Sequence, residues 1–400
     1  HPDTLNNRNG LAAYTGQAGD HATARDLYQA LVPDAIRVLG PDHPDTLNNR
    51  NGLAAYTGQA GDHATARDLY QALATDRARV LGADHPDTLN DRDNQALHTV
   101  KAGDPATARD LYQTLVTDSF RVLGPDHAHT LNGRHNHAVC TAGAGDHATA
   151  RDLLTALIPD SRRVLGPDHP ETLRHRDNLA RHTGESGDPA TARDLYQAVV
   201  TDCLRILGPD HPDTLSRRRE LAFFTGQAGD PARARDLYQA LIPDHTRILG
   251  ADHPDTLASR NSLANSTGQA GDPARARDLY QALIPDHTRV LGADHPHTLN
   301  DRNGLASYTG QAGDHATARD LYQSLISDQT RVLGVDHPDT LNSRNNLAVL
   351  TAAAGDHATA RDLLTKLLPD SIRVLGPDHP ETLRSRNNLA QYTAKAGPTL

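Results

Sequence analysis

The sequence predicts an all-α solenoid of stacked antiparallel helix pairs, and two observations carry that prediction. The segment His-Pro-Asp-Thr-Leu, or a close variant, begins at His1, His43, His85, His127, His169, His211, His253, His295, His337 and His379, a period of 42 residues. Nine full copies and one half copy fill the 400 residues. A fixed period of this size marks a repeat array, in which each layer touches only its neighbours, and rules out a single globular core. Composition agrees: hydrophobic residues are 37% and aromatics 4%, with no Trp and three Phe, fewer large core side chains than one compact domain of this length would carry. One solenoid domain over residues 1–400 is therefore expected, with nine full repeats and one terminal helix.

Each element follows from local rules, taken in the first repeat. Pro2 suits the first position of a helix, where its missing N–H costs nothing. His1, or Asp42 in the equivalent preceding turn, is placed to cap that helix, and Asp3 adds favourable negative charge to its first turn. Leu5, Leu11, Ala12 and Thr15 share one stripe. Gly16 and Gly19 weaken the helix, and Gly19-Asp20 is a stop-and-turn signal. Ala24, Leu27, Tyr28, Leu31, Val38 and Leu39 form the buried stripe of a second helix, which Gly40-Pro41-Asp42 ends. Pro33 breaks a rule, because proline inside a helix removes a hydrogen bond. It recurs as Pro159, Pro243, Pro285 and Pro369, with Thr75, Thr117, Thr201 and Ser327 at the same place elsewhere. A bend or a break into two segments is expected there.

Composition also limits function. With 40 basic and 50 acidic residues the net charge is −10, too mild and too evenly spread for a nucleic-acid or polybasic membrane surface. No apolar run approaches the ~18 residues of a membrane span. Cys140 and Cys203 lie in different repeats and suggest no disulfide framework. The chain holds no Met, so residue 1 is not a translation start and a processed or truncated piece of a longer protein is expected. There is no Gly-Lys phosphate loop, no His-Glu-x-x-His and no Gly-x-Ser-x-Gly. A catalytic constellation needs unlike residues converging at one place, whereas repetition puts like residues in every layer. No enzyme activity and no cofactor are expected.

Leu11-Ala12, Gly19, Ala24 and Leu27-Tyr28 resemble the tetratricopeptide pattern of Leu-small, Gly, Ala and large apolar. The linker Val38-Leu39-Gly40-Pro41-Asp42-His43-Pro44-Asp45 resembles the signature of kinesin-light-chain-type units common in actinobacterial proteins, and it recurs along the whole chain. The resemblance implies a right-handed superhelix, first helices on the concave side, and a peptide or protein segment bound in the concave groove. In one respect the sequence departs from the family. Where the family often has Tyr, this chain has Thr15, Thr57 and Thr99, and the aromatic moves to Tyr14 or Tyr56, which implies looser packing of the first helix. Asn9, Asn51, Asn261, Asn303, Asn345 and Asn387 stand where the family presents Asn to a bound backbone. An amide both donates and accepts, as a peptide unit requires. Asp93, His135, Asp177 and Arg219 replace it in other repeats, so the groove is expected to be amide-lined at its ends and charged in its middle. Arg219 closes the run Arg217-Arg218-Arg219, the most basic local feature, which either meets an acidic partner or is a solvated face.

Arg8 and its equivalents recur in every copy, and the simplest reading is an Arg–carboxylate pair to the neighbouring repeat. The His1 series reads as capping or packing histidines. Repeat four carries His127, His129, His135 and His137, but residues two apart do not share a helix face, and no metal site is expected. Asp152-Leu153-Leu154-Thr155 returns as Asp362-Leu363-Leu364-Thr365, and Pro170-Glu171 returns as Pro380-Glu381, each 210 residues later, which points to a duplicated block of five repeats. Two functions follow. One is a protein-interaction scaffold, part of a larger protein. The other is self-assembly into a filament or tube, since the first repeat is as apolar as the interior ones and the chain ends on the unpaired helix running to Gly397. A cytoplasmic setting is expected for the scaffold, an extracellular one being open to a structural filament.

Overall fold

The computed structural model describes residues 2–396, and those residues form nineteen α-helices. His1 and Gly397 lie outside the described residues. The chain divides into two compact units, His1–Leu195 and Tyr196–Leu400. The first holds α1 (Pro2–Gln17), α2 (His21–Leu39), α3 (Pro44–Gln59), α4 (His63–Val80), α5 (Pro86–Lys101), α6 (Pro105–Leu123), α7 (Ala128–Gly143), α8 (His147–Val164) and α9 (Pro170–Glu185). The division falls within α10 (Pro189–Ile206). The second unit continues with α11 (Pro212–Gln227), α12 (Pro231–Ile248), α13 (Pro254–Gln269), α14 (Pro273–Leu291), α15 (Pro296–Gln311), α16 (His315–Val332), α17 (Pro338–Ala353), α18 (His357–Leu375) and α19 (Pro380–Ala396). Within each unit a helix packs on the one before and the one after it, and first helices also touch first helices of the next repeat, as α1 touches α3 and α13 touches α15.

Capping explains the helix starts. His43 is extended and its Nδ1 accepts from the Asp45 N–H at 3.2 Å, opening α3. His85, His127, His211 and His337 do the same. Asp20 accepts from the Thr23 N–H at 3.1 Å and opens α2. The chain reverses at Gly19 and again at Gly40, with φ of 93° and 97°, angles that glycine adopts without a Cβ clash.

Three local expectations change. First, α2, α8, α12, α14 and α18 run unbroken through Pro33, Pro159, Pro243, Pro285 and Pro369. Pro33 and Gln29 are both exposed, so the carbonyl that loses its N–H partner faces water. In other repeats a threonine hydroxyl satisfies the same carbonyl, as Thr75 Oγ1 donates to Gln71 O at 2.9 Å. Second, Val38 is 39% exposed, and Ala35 takes its place in the core. Third, the first helix is not loosely packed. Tyr56 lies over Gly16, where an added Cβ would sit 2.0 Å from the ring. Its ring stacks on Tyr28 at 5.7 Å, and its hydroxyl donates to Ala13 O. Leu5, Ala12, Tyr28 and Leu31 form the core of this layer, joined by Leu53 and Tyr56 of the next repeat. Each such large side chain contributes about 1.5–3 kcal/mol on burial.

Candidate functional site

The expected binding residues sit on the first helices, where the repeat places them, but many are already engaged. Asn9 Oδ1 accepts from the Tyr28 hydroxyl at 2.9 Å. Asn51 is partly buried on α3, Asn303 is partly buried on α15, and Asn387 is exposed on α19. Asn261 Nδ2 donates to Asp301 at 2.6 Å, reaching forward one layer. Asn345 departs furthest from an open groove: it is 2% exposed, and its Oδ1 accepts from Ser385 and Asn388 of the next layer. His135 is buried, stacked on His175 at 4.6 Å. The amide that matches a peptide backbone also matches a neighbouring first helix, and in these layers the neighbour takes it.

The run of three arginines is likewise paired. Arg217 stands 3.4 Å from Asp213, Arg218 2.8 Å from Asp244, and Arg219 2.7 Å from Asp255. Arg219 and Asn261 nevertheless share one feature. Together with Asp255, Leu257, His287 and His297 they line a cavity of about 660 Å³ in the second unit, between α11, α13, α14 and α15. A further cavity of about 350 Å³, edged by Phe223 and Tyr238, shares Asn261 and Ser262 with it. An apolar floor with a few placed polar groups is how binding pockets are commonly built.

The Arg8 series pairs differently from the expectation. Arg8 donates to Asp34 of its own repeat at 2.7 Å, as do Arg50 to Asp76 and Arg260 to Asp286 at 2.8 Å. A first-helix arginine spans its own helical pair to reach the second helix. The bridge between repeats belongs to the Arg37 series, for Arg79 binds linker Asp42 and Arg289 binds Asp252 with two hydrogen bonds each. The neighbouring guanidiniums, Arg8 first and then Arg37, hold the Asp34 carboxyl below the usual carboxylate range.

Sequence reasoning missed the seam between layers. The Ala35 series of one second helix meets the Asn7 series of the next first helix, fourteen residues on. At this seam Arg77 binds buried Asp91 at 2.9 and 3.0 Å. Ser161 meets His175 at 2.8 Å and His245 meets Ser259 at 3.1 Å. His287 and Asp301 form a very short contact. Burial pushes Asp91 up to about 6 against the pull of Arg77, and burial also raises Asp301. The signal was available: a polar or small residue recurs four places after each buried Leu31-type leucine, on the stripe that faces the core.

The histidines of repeat four do separate work. His127 caps α7, His135 joins the His175 stack, and burial lowers the pKa of His129 and His137. Among the described residues one group of potential metal ligands converges, and it is a different one: His147, His182 and Glu185. Cys140 and Cys203 are buried thiols. No described helix is long and apolar enough to cross a membrane.

Paired helices, layer on layer, with an amide-bearing first-helix face, define a helical-repeat scaffold. The family model described as Tetratricopeptide repeat matches residues 3–74, 126–203, 216–285 and 311–370, and the chain belongs to that family. No curated protein matches it. Among solved structures, the chain is similar to a Podosopora anserina protein described as kinesin light chain with nearly identical TPR-like repeats. The identity there is 27% and the TM-score 0.47, over 51% of this chain and 97% of that one. A tetratricopeptide repeat protein from Parabacteroides merdae matches with a TM-score of 0.52 at 13% identity, over 76% of this chain and 98% of that one. The apo form of the quorum sensor NprR from B. thuringiensis matches with a TM-score of 0.54 at 13% identity, over 81% of this chain and 87% of that one.

Proposed function

We propose that the chain is a non-enzymatic scaffold that binds a peptide or protein segment along its first-helix face. The cavity holding Arg219 and Asn261 is the observation that carries this reading. Asn261 lines both cavities, of about 660 Å³ and about 350 Å³, room for several side chains of an extended segment. Ala258 and Val290 supply apolar contact, while Arg219 and His297 supply charge or hydrogen bonds. Asn9, Asn51, Asn303 and Asn387 are secondary contacts in this reading, and Asn345 contributes only by holding its layer in place.

The test is a displayed peptide library selected against the full chain, with enriched peptides titrated by fluorescence polarisation. Asn261→Ala and Arg219→Ala are expected to weaken binding about tenfold or more, about 1.4 kcal/mol, while Asn9→Ala leaves it nearly unchanged. Equal affinity in all three variants removes the cavity as the site.

Self-assembly into a filament is the second reading. Sedimentation velocity over a range of concentrations separates the two; a concentration-independent monomer ends the filament reading.

A further inference from the structure

We propose that His147, His182 and Glu185 form a binding site for a divalent transition-metal ion of the zinc class. His147 is the first residue of α8, directly after its cap Asp146. His182 and Glu185 lie three residues apart in the last turn of α9, and so share a face. Packing of α8 on α9 brings the three together, although 35 residues separate the two histidines.

The distances suit a metal. The ligand atoms all lie within 4.8 Å of one another. Glu185 Oε2 is 2.8 Å from His182 Nδ1 and 3.2 Å from His147 Nδ1. Tetrahedral zinc with bonds of about 2.1 Å sets neighbouring ligand atoms about 3.4 Å apart, so small side-chain rotations suffice. The rings lie 5.6 Å apart and nearly parallel, at 24°. Two imidazoles and one carboxylate are a ligand set that zinc accepts, leaving a fourth position for water. The Glu185 side chain is 39% exposed and that of His182 9%, so the open position faces solvent from a largely buried base.

Other layers of the same protein act as controls. The place of His182 and Glu185 is held by Tyr56 and Gln59 beside His21, by Tyr308 and Gln311 beside Pro273, and by Tyr392 and Lys395 beside His357. These sets lack the second imidazole and the carboxylate. One layer comes close: His63 and His98 approach to 3.3 Å between Nδ1 atoms, but Lys101 stands where Glu185 does. An ammonium there repels a cation. A packing role alone explains a ring at His182, since Tyr56 fills the same space; it does not explain a second imidazole together with an acid at one layer.

The test is calorimetric titration of the metal-free full chain with zinc chloride near neutral pH. One equivalent is expected to bind. Glu185→Gln and His147→Gln, at partly exposed positions, are expected to weaken binding by about tenfold or more, while circular dichroism and metal-free thermal unfolding stay as in the parent chain. Lys101→Glu puts a carboxylate beside His63 and His98 and is expected to raise the stoichiometry from one to two. Absence of binding by the parent chain overturns the proposal, and so does binding that Glu185→Gln leaves unchanged, which would place the ion on scattered surface histidines.

Discussion

Two regions of each layer differ in kind. On the outside, Arg8, Asp34 and Arg37 form a charge cluster that returns with nearly the same geometry from layer to layer, with Arg–Asp distances of 2.7 Å at Arg8, 2.8 Å at Arg134 and 3.0 Å at Arg344. Inside, the seam between layers is different almost every time: Arg77 with Asp91, Ser161 with His175, His287 with Asp301. The outer cluster is partly exposed to water, and such pairs are worth little each. The seam is dry, and an uncompensated charge there is costly. Repetition thus builds the array, while the buried substitutions make one junction unlike the next. Neighbouring layers with mismatched seams would leave a polar group unpaired, so the seam favours one order of repeats.

The largest effect is expected at Arg77, whose side chain is 5% exposed against an Asp91 that is fully enclosed. Arg77→Met leaves the carboxylate buried and alone, at a cost of about 3–5 kcal/mol. Arg77→Met with Asp91→Leu removes both charges and is expected to recover most of that loss. Urea unfolding of the three chains measures it. If the double variant is no better than the single one, charge pairing is not what holds this seam.

A smaller, pH-dependent effect is expected at His98. Its environment matches that of Tyr56: Gly58 beneath it, His63 beside it and Tyr70 stacked on it at 5.6 Å. Burial first, then Lys101 and His63, push its pKa down to about 4. An unfolded histidine takes up its proton near pH 6.5. Between those values the unfolded chain holds a proton that the folded chain refuses, so stability is complete above about pH 6.5 and falls as the pH drops toward 4. At pH 5 the loss is about 2 kcal/mol. His98→Tyr should remove it. The stability difference between variant and parent chain, compared at pH 7.5 and pH 5, is the measurement; the same difference at both pH values breaks the assignment.

Much of the fold was legible because it rests on short-range rules. Pro2, Asp20, Gly19 and Gly40 place helix starts and turns within a few residues of themselves, and the period multiplies each inference down the chain. Contacts between layers were legible only in part. Arg8 could be seen to want a carboxylate, but not whether that carboxylate stood on the next repeat or, as it does, on Asp34 of its own. Pro33 read as a break because its exposure, which lets the freed carbonyl be hydrated, is a tertiary fact. His182 and Glu185 show their shared face in the sequence, whereas His147 joins them only through the packing of α8 on α9. The Asn9 series was placed on the right helices, yet the engagement of Asn261 by Asp301 and of Asn345 by Ser385 depends on how closely first helices approach.

The smallest effect is expected on the outside, at Arg50. It donates to Asp76 at 2.8 Å, with side chains 20% and 33% exposed. Asp76 keeps a second partner, Arg79 at 3.3 Å, and water reaches the carboxylate once Arg50 is gone. Arg50→Ala should therefore cost no more than about 1 kcal/mol. Part of that cost is the arginine stem lost from the groove between α3 and α4, and that part should not depend on salt. The Coulombic part should shrink as ionic strength rises, because the Debye length falls from about 10 Å at 0.1 M to about 3 Å at 1 M. Urea unfolding of Arg50→Ala at both salt concentrations measures the two parts separately. A loss as large as that of Arg77→Met would mean that the outer cluster carries the array, and the contrast between a cheap outside and a costly seam would fail.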